Sequence, residues 1–157
     1  MSLRTHSRRS ATELRDALGG APAASAELIS AALDVMAARC ALPDRVSRTQ
    51  RIGALIDAQA WTDAALAIVD LDRSRAVRQI THEEGEWSCR IGSRWAVPDW
   101  LDDSALFLHP APSLAILGAL LESLAQREDQ ATAATSVPSS GSRRGHSIPA
   151  VACDNYA

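Results

Sequence analysis

The chain has 157 residues, of which 46% are hydrophobic and 22% charged, and these values are typical of a single globular domain with a sizeable core. Its 16 basic residues are all arginine, and with 19 acidic residues they give a formal net charge of −3, which argues against a uniformly basic nucleic-acid-binding surface. No apolar run is long enough to cross a bilayer, and the three separated cysteines form no CxxC pair, so we expect a cytoplasmic protein.

Two helices are predicted after a flexible basic arm over residues 1–9. Ser10-Ala11-Thr12-Glu13 has the pattern of a capping box, in which the serine hydroxyl and the glutamate each satisfy a backbone N–H group. The breaker Gly19-Gly20 ends this first helix. From about Ser25 to Leu42 apolar residues recur at helical spacing, which predicts a second helix with one buried side.

A helical hairpin is predicted next. A second capping-box pattern, at residues 47–50, starts a helix that runs to about Ala60. Thr62-Asp63 is suited to cap a further helix from Ala64 to about Leu71. Because the connection is short, we expect the two helices to pack antiparallel with Trp61 near their joint.

The pattern then changes to one that is typical of β-strands. The segments SRAVRQIT and EWSCRIGSRW flank Glu83-Glu84-Gly85, which predicts a β-hairpin with a three-residue, bulged turn. This form aligns apolar and β-branched residues of the two segments, namely Val77 and Thr81 with Trp87, Cys89 and Ile91. A two-residue turn instead aligns Ile80 with Trp87, and both alternatives leave Trp87 facing the core.

The rest of the chain predicts one more core element. PDWLDD is irregular and acidic, and SALFLHP is compatible with a short strand or a turn of helix. Apolar residues around much of a helical circumference from Pro112 to about Arg127 predict the central core helix. Residues 128–157 are expected to form a disordered tail. The predicted fold is one α+β domain over residues 10–127, mainly helical, with one antiparallel β-hairpin packed on the helices.

Residues 45–125 resemble a known family. The anchors are the helix start at Trp61, the hairpin EEGEW-x-C and the late helix LAIL, within WTDAALAIVDLDRSRAVRQITHEEGEWSCRIGSRWAVPDWLDD and SLAILGALLESL. In these features the chain resembles a small family of uncharacterised alphaproteobacterial proteins without an assigned activity. The resemblance implies the order helical pair, hairpin, helix, and it implies no catalytic or ligand-binding residue.

The stretch HEEGEWSC, His82 to Cys89, gathers a histidine, three carboxylates and a cysteine. The zinc-protease pattern HExxH needs a second histidine, but here Glu86 stands in its place and Gly85 breaks the helix. We interpret the stretch as a solvated turn and predict no metal site. The motifs GxSxG, GxxxxGK[ST] and GxGxxG are missing, so no catalytic residue or cofactor is predicted and an enzyme is not favoured.

Tryptophan is enriched at the centre of protein interfaces, and two tryptophans flank an irregular, acidic stretch after the hairpin. The residues predicted to contact a partner are Trp95, Asp99, Trp100, Asp102 and Asp103. The favoured function is a non-enzymatic protein-interaction or regulatory module, whose partner is another protein or a second copy of the chain.

Arginine suggests the alternative function, nucleic-acid binding. Arginines at i, i+3 and i+6 near a helix start oppose the helix dipole unless they reach solvent or an anion, and others lie on the hairpin. The residues predicted to contact phosphates are Arg45, Arg48, Arg51, Arg78, Arg90 and Arg94. Three glutamates in the turn and the scarcity of Phe and Tyr for base stacking count against this hypothesis.

Overall fold

A computed structural model describes residues 10–40, 44–95 and 103–135, with side chains described up to Thr132. These residues form eight elements in the order α1 (Ala11–Gly19), α2 (Ala26–Arg39), α3 (Arg45–Asp57), α4 (Trp61–Val69), β1 (Arg75–Glu83), β2 (Glu86–Ser93), β3 (Ala105–His109) and α5 (Pro112–Thr135). The predicted class is confirmed, since the fold is α+β and mainly helical. No helix within the described ranges is long and apolar enough to span a membrane.

The first two helices begin as the sequence predicts. Ser10 Oγ accepts a hydrogen bond from the Glu13 N–H at 3.2 Å, and the Ser10 N–H donates to Glu13 Oε2 at 2.9 Å, which completes the capping box. Ser25 caps α2 by accepting from the Leu28 N–H at 3.3 Å. Both caps depend on residues three positions apart, so the local sequence is sufficient to specify them.

The helical hairpin is present, but both of its helices begin earlier than predicted. Ser47 does not form a capping box, because its hydroxyl donates to the Asp44 carbonyl and the helix already begins at Arg45. The second helix begins at Trp61 rather than Ala64, directly after Gln59 turns the chain with a φ of 57°. Left-handed backbone at Gln59 allows this short joint.

The β-hairpin has the two-residue turn and not the bulged three-residue turn. Glu84 and Gly85 have φ values of 52° and 88°, and positive φ at both central positions is typical of the mirror-image turns that match strand twist. Ile80 shares the sheet face of Trp87, as the two-residue alternative predicts, although its direct partner is Cys89 and Trp87 lies opposite His82. The bulge is instead inside β1 at Arg78, so Val77 and Ile80 both share the face of Cys89.

The ambiguous segment SALFLHP contains the third strand. β3 pairs antiparallel with β2 and gives the sheet order β1-β2-β3, so the hairpin is extended by one strand. On the face towards the helices, the Phe107 ring packs against α5 at Gly118, where a Cβ atom would lie only 2.2 Å from Phe107 Cδ1. Glycine at this position therefore lets α5 approach the sheet closely.

Helix α5 is the centre of the core, as predicted, and it contacts α1, α4, β2 and β3. Its buried residues include Leu114, Ile116, Leu117, Leu120 and Leu121. The helix continues to Thr135 rather than ending near Arg127, so residues 128–135 of the predicted tail are helical. Glu128, the first residue of this extension, forms an ion pair with Arg39 of α2.

Candidate functional site

Among the tryptophans that the structure describes, the most exposed lies where β2 ends. Trp95 is 70% exposed, yet hydrogen bonds hold its main chain on both sides. The Trp95 N–H donates to Ser93 Oγ at 3.3 Å, and Arg78 Nη2 donates to the Trp95 carbonyl at 2.8 Å. Arg78 is the bulged residue of β1, and its aliphatic chain runs over Gly92. We call Arg78, Arg94 and Trp95 the hairpin base.

Arg94 joins the hairpin base to the helices. Its Nη2 atom donates to Asp70 Oδ1 at 3.1 Å, and its Nε atom donates to the Arg75 carbonyl at 3.3 Å. Arg48 of α3 reaches the same residue, since its Nη1 atom lies 3.5 Å from the Asp70 carbonyl. Asp70 therefore brings together two arginines that are far apart in the sequence.

The charge pair of Arg75 and Asp103 lies beneath this surface. Arg75 is 1% exposed, and its Nη1 atom is 3.1 Å from Asp103 Oδ2. The alignment is not that of a hydrogen bond, and within the described residues Arg75 Nε and Asp103 Oδ1 also have no hydrogen-bond partner. Asp103, predicted as a partner contact, is thus engaged inside the domain. The other predicted acidic and aromatic contacts, Asp99, Trp100 and Asp102, lie outside the described residues.

The predicted arginine surface divides into two groups. On α3, Arg45 and Arg51 are exposed, whereas Arg48 Nε lies 2.6 Å from Asp44 Oδ2. The hydrogen bond from Arg48 lowers the pKa of the Asp44 carboxyl below its ordinary value of 3.8. Arg90 stands apart on the outer face of the sheet, opposite Leu106. The structure brings Arg48 and Arg94 together but leaves Arg90 on a different face.

An open groove of about 640 Å³ runs between α3 and α4. Its apolar lining comes from Ile52, Leu55, Leu66 and Ala67. Its charged lining mixes both signs, with Asp44, Arg48, Arg51, Asp63 and Asp70. Because three carboxylates face two guanidinium groups, this groove has no strong preference for a phosphate group.

Within HEEGEWSC, Glu84 and Gly85 form a turn, as interpreted from the sequence, and the flanking residues belong to β1 and β2. The His82 ring stacks near Trp87 with ring centroids 4.7 Å apart. Cys89 is fully buried, and burial raises the pKa of its thiol to about 12, so it is protonated at neutral pH. Within the described part of the chain, no three His, Cys, Asp or Glu residues are grouped to hold a metal ion.

His109 has a structural role. Its Nδ1 atom accepts from the Ala111 N–H at 2.9 Å, and its Nε2 atom lies 2.9 Å from the Ala21 carbonyl. The Nδ1 contact assigns the proton to Nε2, which then donates to Ala21. Both ring nitrogens are occupied in joining β3, the start of α5 and the connection after α1.

The sequence interpretation missed Arg75 and Asp70. Arg75 lies two positions before Val77 on the same, core-facing side of β1, and this period-two spacing is a signal that its side chain turns inward. Asp70 had no such signal, because its role depends on contacts with residues 22 and 24 positions away.

Comparisons with protein-family models, curated proteins and solved structures give no match for this chain. The resemblance to an alphaproteobacterial family therefore stays a prediction. The functional argument rests on the geometry of the hairpin base.

Proposed function

We propose that the chain is a non-enzymatic protein-interaction module whose partner binds the hairpin base, with Trp95 at the centre of the contact. The observation that carries the proposal is an exposed tryptophan on a main chain held by hydrogen bonds at its N–H and carbonyl groups. An aromatic side chain on an ordered main chain loses less conformational entropy on binding than one on a flexible segment, and tryptophans often dominate interface energetics.

The charges around Trp95 favour a partner with acidic groups. Arg78 donates only to a backbone carbonyl and has no carboxylate partner among the described residues. Arg94 directly precedes Trp95 in the chain and is paired with one exposed carboxylate, that of Asp70. A complementary surface has an apolar pocket for the indole ring and a carboxylate within reach of Arg78.

The test is a pull-down from lysate of the source organism with the tagged full-length chain, after nuclease treatment, read by mass spectrometry. Trp95→Ala is compared with Val46→Ala, because Val46 is also 70% exposed but lies on α3. We expect a specific protein that the wild type and Val46→Ala retain and that Trp95→Ala loses. In a direct titration with that protein, Trp95→Ala should weaken binding by about 30-fold, which corresponds to about 2 kcal/mol.

Circular dichroism must show that Trp95→Ala is folded like the wild type. A folded Trp95→Ala variant that captures the same proteins as Val46→Ala contradicts the proposal. Arg78→Ala is the companion variant, and it should weaken binding most at low salt if the partner is acidic.

We propose nucleic-acid binding as the second candidate function. One observation favours it: Arg48 and Arg94, from distant parts of the sequence, meet at Asp70, so the basic residues of α3 and of the hairpin base lie on adjoining surfaces. Binding of labelled single- and double-stranded DNA should then fall by orders of magnitude between about 50 and about 200 mM salt.

Arg51→Ala tests this second candidate, with Arg90→Ala as the matched control, because Arg90 is also exposed but lies on the outer face of the sheet. Arg51 is exposed and has no ion pair within the described residues, so its loss should weaken binding and reduce the salt slope by about one. A flat salt response, or equal effects of the two variants, argues against nucleic acid.

A further inference from the structure

The two edges of the sheet differ in how they are protected. Edge strands usually carry charges, bulges or proline, because their unpaired N–H and C=O groups otherwise pair with another strand. β1 has such features, with a bulge at Arg78 and the charged Glu83 at its end. β3, with the sequence ALFLH, has no acidic residue, lysine, arginine or bulge. The β3 edge therefore lacks the features that usually prevent an edge strand from pairing with another strand.

Apolar side chains are concentrated at this same edge. Leu106 and Leu108 are 47% and 53% exposed, and both lie on the sheet face that points away from α5. Their neighbours on β2 are polar, since Leu106 lies opposite Arg90 and Leu108 opposite Ser88. Among the described residues outside the sheet, none forms a backbone hydrogen bond with β3. A sheet surface normally has its apolar residues towards the core and not at the rim.

We propose that β3 pairs antiparallel with β3 of a second copy of this chain, which joins the two sheets into one continuous sheet of six strands. A twofold axis at Phe107 places Leu106 of each copy opposite Leu108 of the other. The pairing is isologous, so both leucine pairs form at once and cover each other on the outer face.

The sequence of β3 and the charges of the sheet favour a second copy as the occupant. The order Leu-Phe-Leu reads the same from both ends, so an antiparallel copy matches it position by position. β3 runs from the arginine-bearing hairpin base, beside Ile91, towards the glutamate-bearing turn, beside Trp87. Antiparallel pairing brings the basic end of one sheet towards the acidic end of the other, which is electrostatically complementary.

This inference does not depend on the proposed function, because the β3 edge and the hairpin base are different residues. The first test is sedimentation of the full-length chain over a range of concentrations. We expect the mass to rise from 16.7 kDa towards twice that value. The midpoint should lie in the micromolar range, because a five-residue edge is a small interface. A mass that stays at that of one chain at every concentration up to the submillimolar range overturns the proposal.

Leu108→Lys is the disrupting variant and Val46→Lys is its matched control, since both replace an exposed apolar residue by lysine. Leu108→Lys should raise the dimer dissociation constant at least about 10-fold, because each of the two pairs of residues 106 and 108 across the interface then contains a lysine. Val46→Lys should leave the constant unchanged. If both folded variants dimerise like the wild type, or if Val46→Lys alone prevents dimerisation, the β3 interface is wrong.

Disulfide cross-linking tests the register and separates this pairing from other modes of association. The background is Cys40→Ser with Cys153→Ser, and Cys89 is kept because it is buried. Leu106→Cys and Leu108→Cys are made separately, mixed, and oxidised with diamide, which takes up two hydrogens for each disulfide formed.

Directly opposite residues have Cα atoms close enough for a disulfide, whereas diagonal neighbours do not. We expect a cross-linked dimer in the mixture and little in either variant alone. Equal cross-linking of the single variants, or no cross-linking in the mixture, overturns the proposed register.

Discussion

Particular positions on the inner and outer sides of the sheet depart from the usual distribution, in which apolar residues face the core and polar residues face solvent. Arg75, on the inner side of β1, is 1% exposed, whereas Trp95, just after β2, is 70% exposed. β3 adds a second contrast, because Phe107 packs on Gly118 while the neighbouring Leu106 and Leu108 are exposed. Residue type alone therefore did not decide burial in this sheet. For Arg75, Leu106, Phe107 and Leu108 the position in the strand alternation decided it, whereas Trp95 is exposed beyond the end of β2.

Asp103→Ala should produce the largest loss of stability. It leaves the buried Arg75 guanidinium without a compensating charge, which we expect to lower the free energy of unfolding by about 3 kcal/mol. The measurement is urea denaturation at neutral pH. Asp70→Ala is the control, since its carboxylate is also 3.1 Å from an arginine but is exposed, and its loss should cost less than about 1 kcal/mol. If the two variants lose the same free energy of unfolding, the burial of Arg75 does not make its ion pair more important than the exposed pair of Asp70.

Gly118→Ala should have the next largest effect. The added Cβ atom overlaps the Phe107 ring, and overpacking of this kind costs about 2 kcal/mol. Gly53→Ala is the control on α3, where a Cβ meets no atom within 4 Å, and it should raise stability by up to about 1 kcal/mol. Phe107→Leu in the Gly118→Ala background should recover part of the loss. A neutral or stabilising Gly118→Ala contradicts the close contact.

Alkaline pH should weaken the inner side of the sheet through Cys89. Burial raises the pKa of this thiol from 9.0 to about 12, so the folded state holds a proton that the unfolded state releases above pH 9. The contribution is fully present below about pH 9 and is lost as pH rises towards 12.

By pH 10 the expected loss is about 1 kcal/mol, at 1.36 kcal/mol for each pH unit. Urea denaturation between pH 8 and pH 10.5 measures it. Cys89→Ala removes this ionisable group, so its stability should change less with pH over this range. An identical pH slope for the wild type and Cys89→Ala contradicts the burial of the thiol.

Trp95→Ala should have the smallest effect on stability. Its side chain is mostly in solvent, so the free energy of unfolding should change by less than about 0.5 kcal/mol, as for Val46→Ala. Thermal denaturation of both variants measures this change. A loss of several kcal/mol assigns Trp95 to the core and removes the basis for the proposed partner surface.

Part of the candidate site was accessible from the sequence. Trp95 was selected because it is a tryptophan on an irregular stretch, and Arg78 and Arg94 because they lie on a predicted hairpin. Their connection through the Trp95 carbonyl and Asp70 was not accessible, since it depends on the bulge at Arg78 and on the position of α4. Asp103 is predicted as a partner contact because it lies in the acidic stretch near the tryptophans, and its ion pair with the buried Arg75 is not accessible because the two residues are distant in the sequence.

The sequence by itself determined the features that depend on near neighbours. These are the α+β class, the caps at Ser10 and Ser25, and α5 as the core helix. A cap or a helical stripe involves residues only a few positions apart, so their free energy is set locally.

Only the tertiary structure decided the helix starts at Arg45 and Trp61, the bulge at Arg78, the strand β3 and the extension of α5 to Thr135. β3 becomes a strand because β2 supplies hydrogen-bond partners and Gly118 makes room for Phe107. The helical residues 128–135 begin with Glu128, which forms an ion pair with Arg39 of α2. Each of these outcomes depends on contacts between distant parts of the chain, and local propensity does not contain that information.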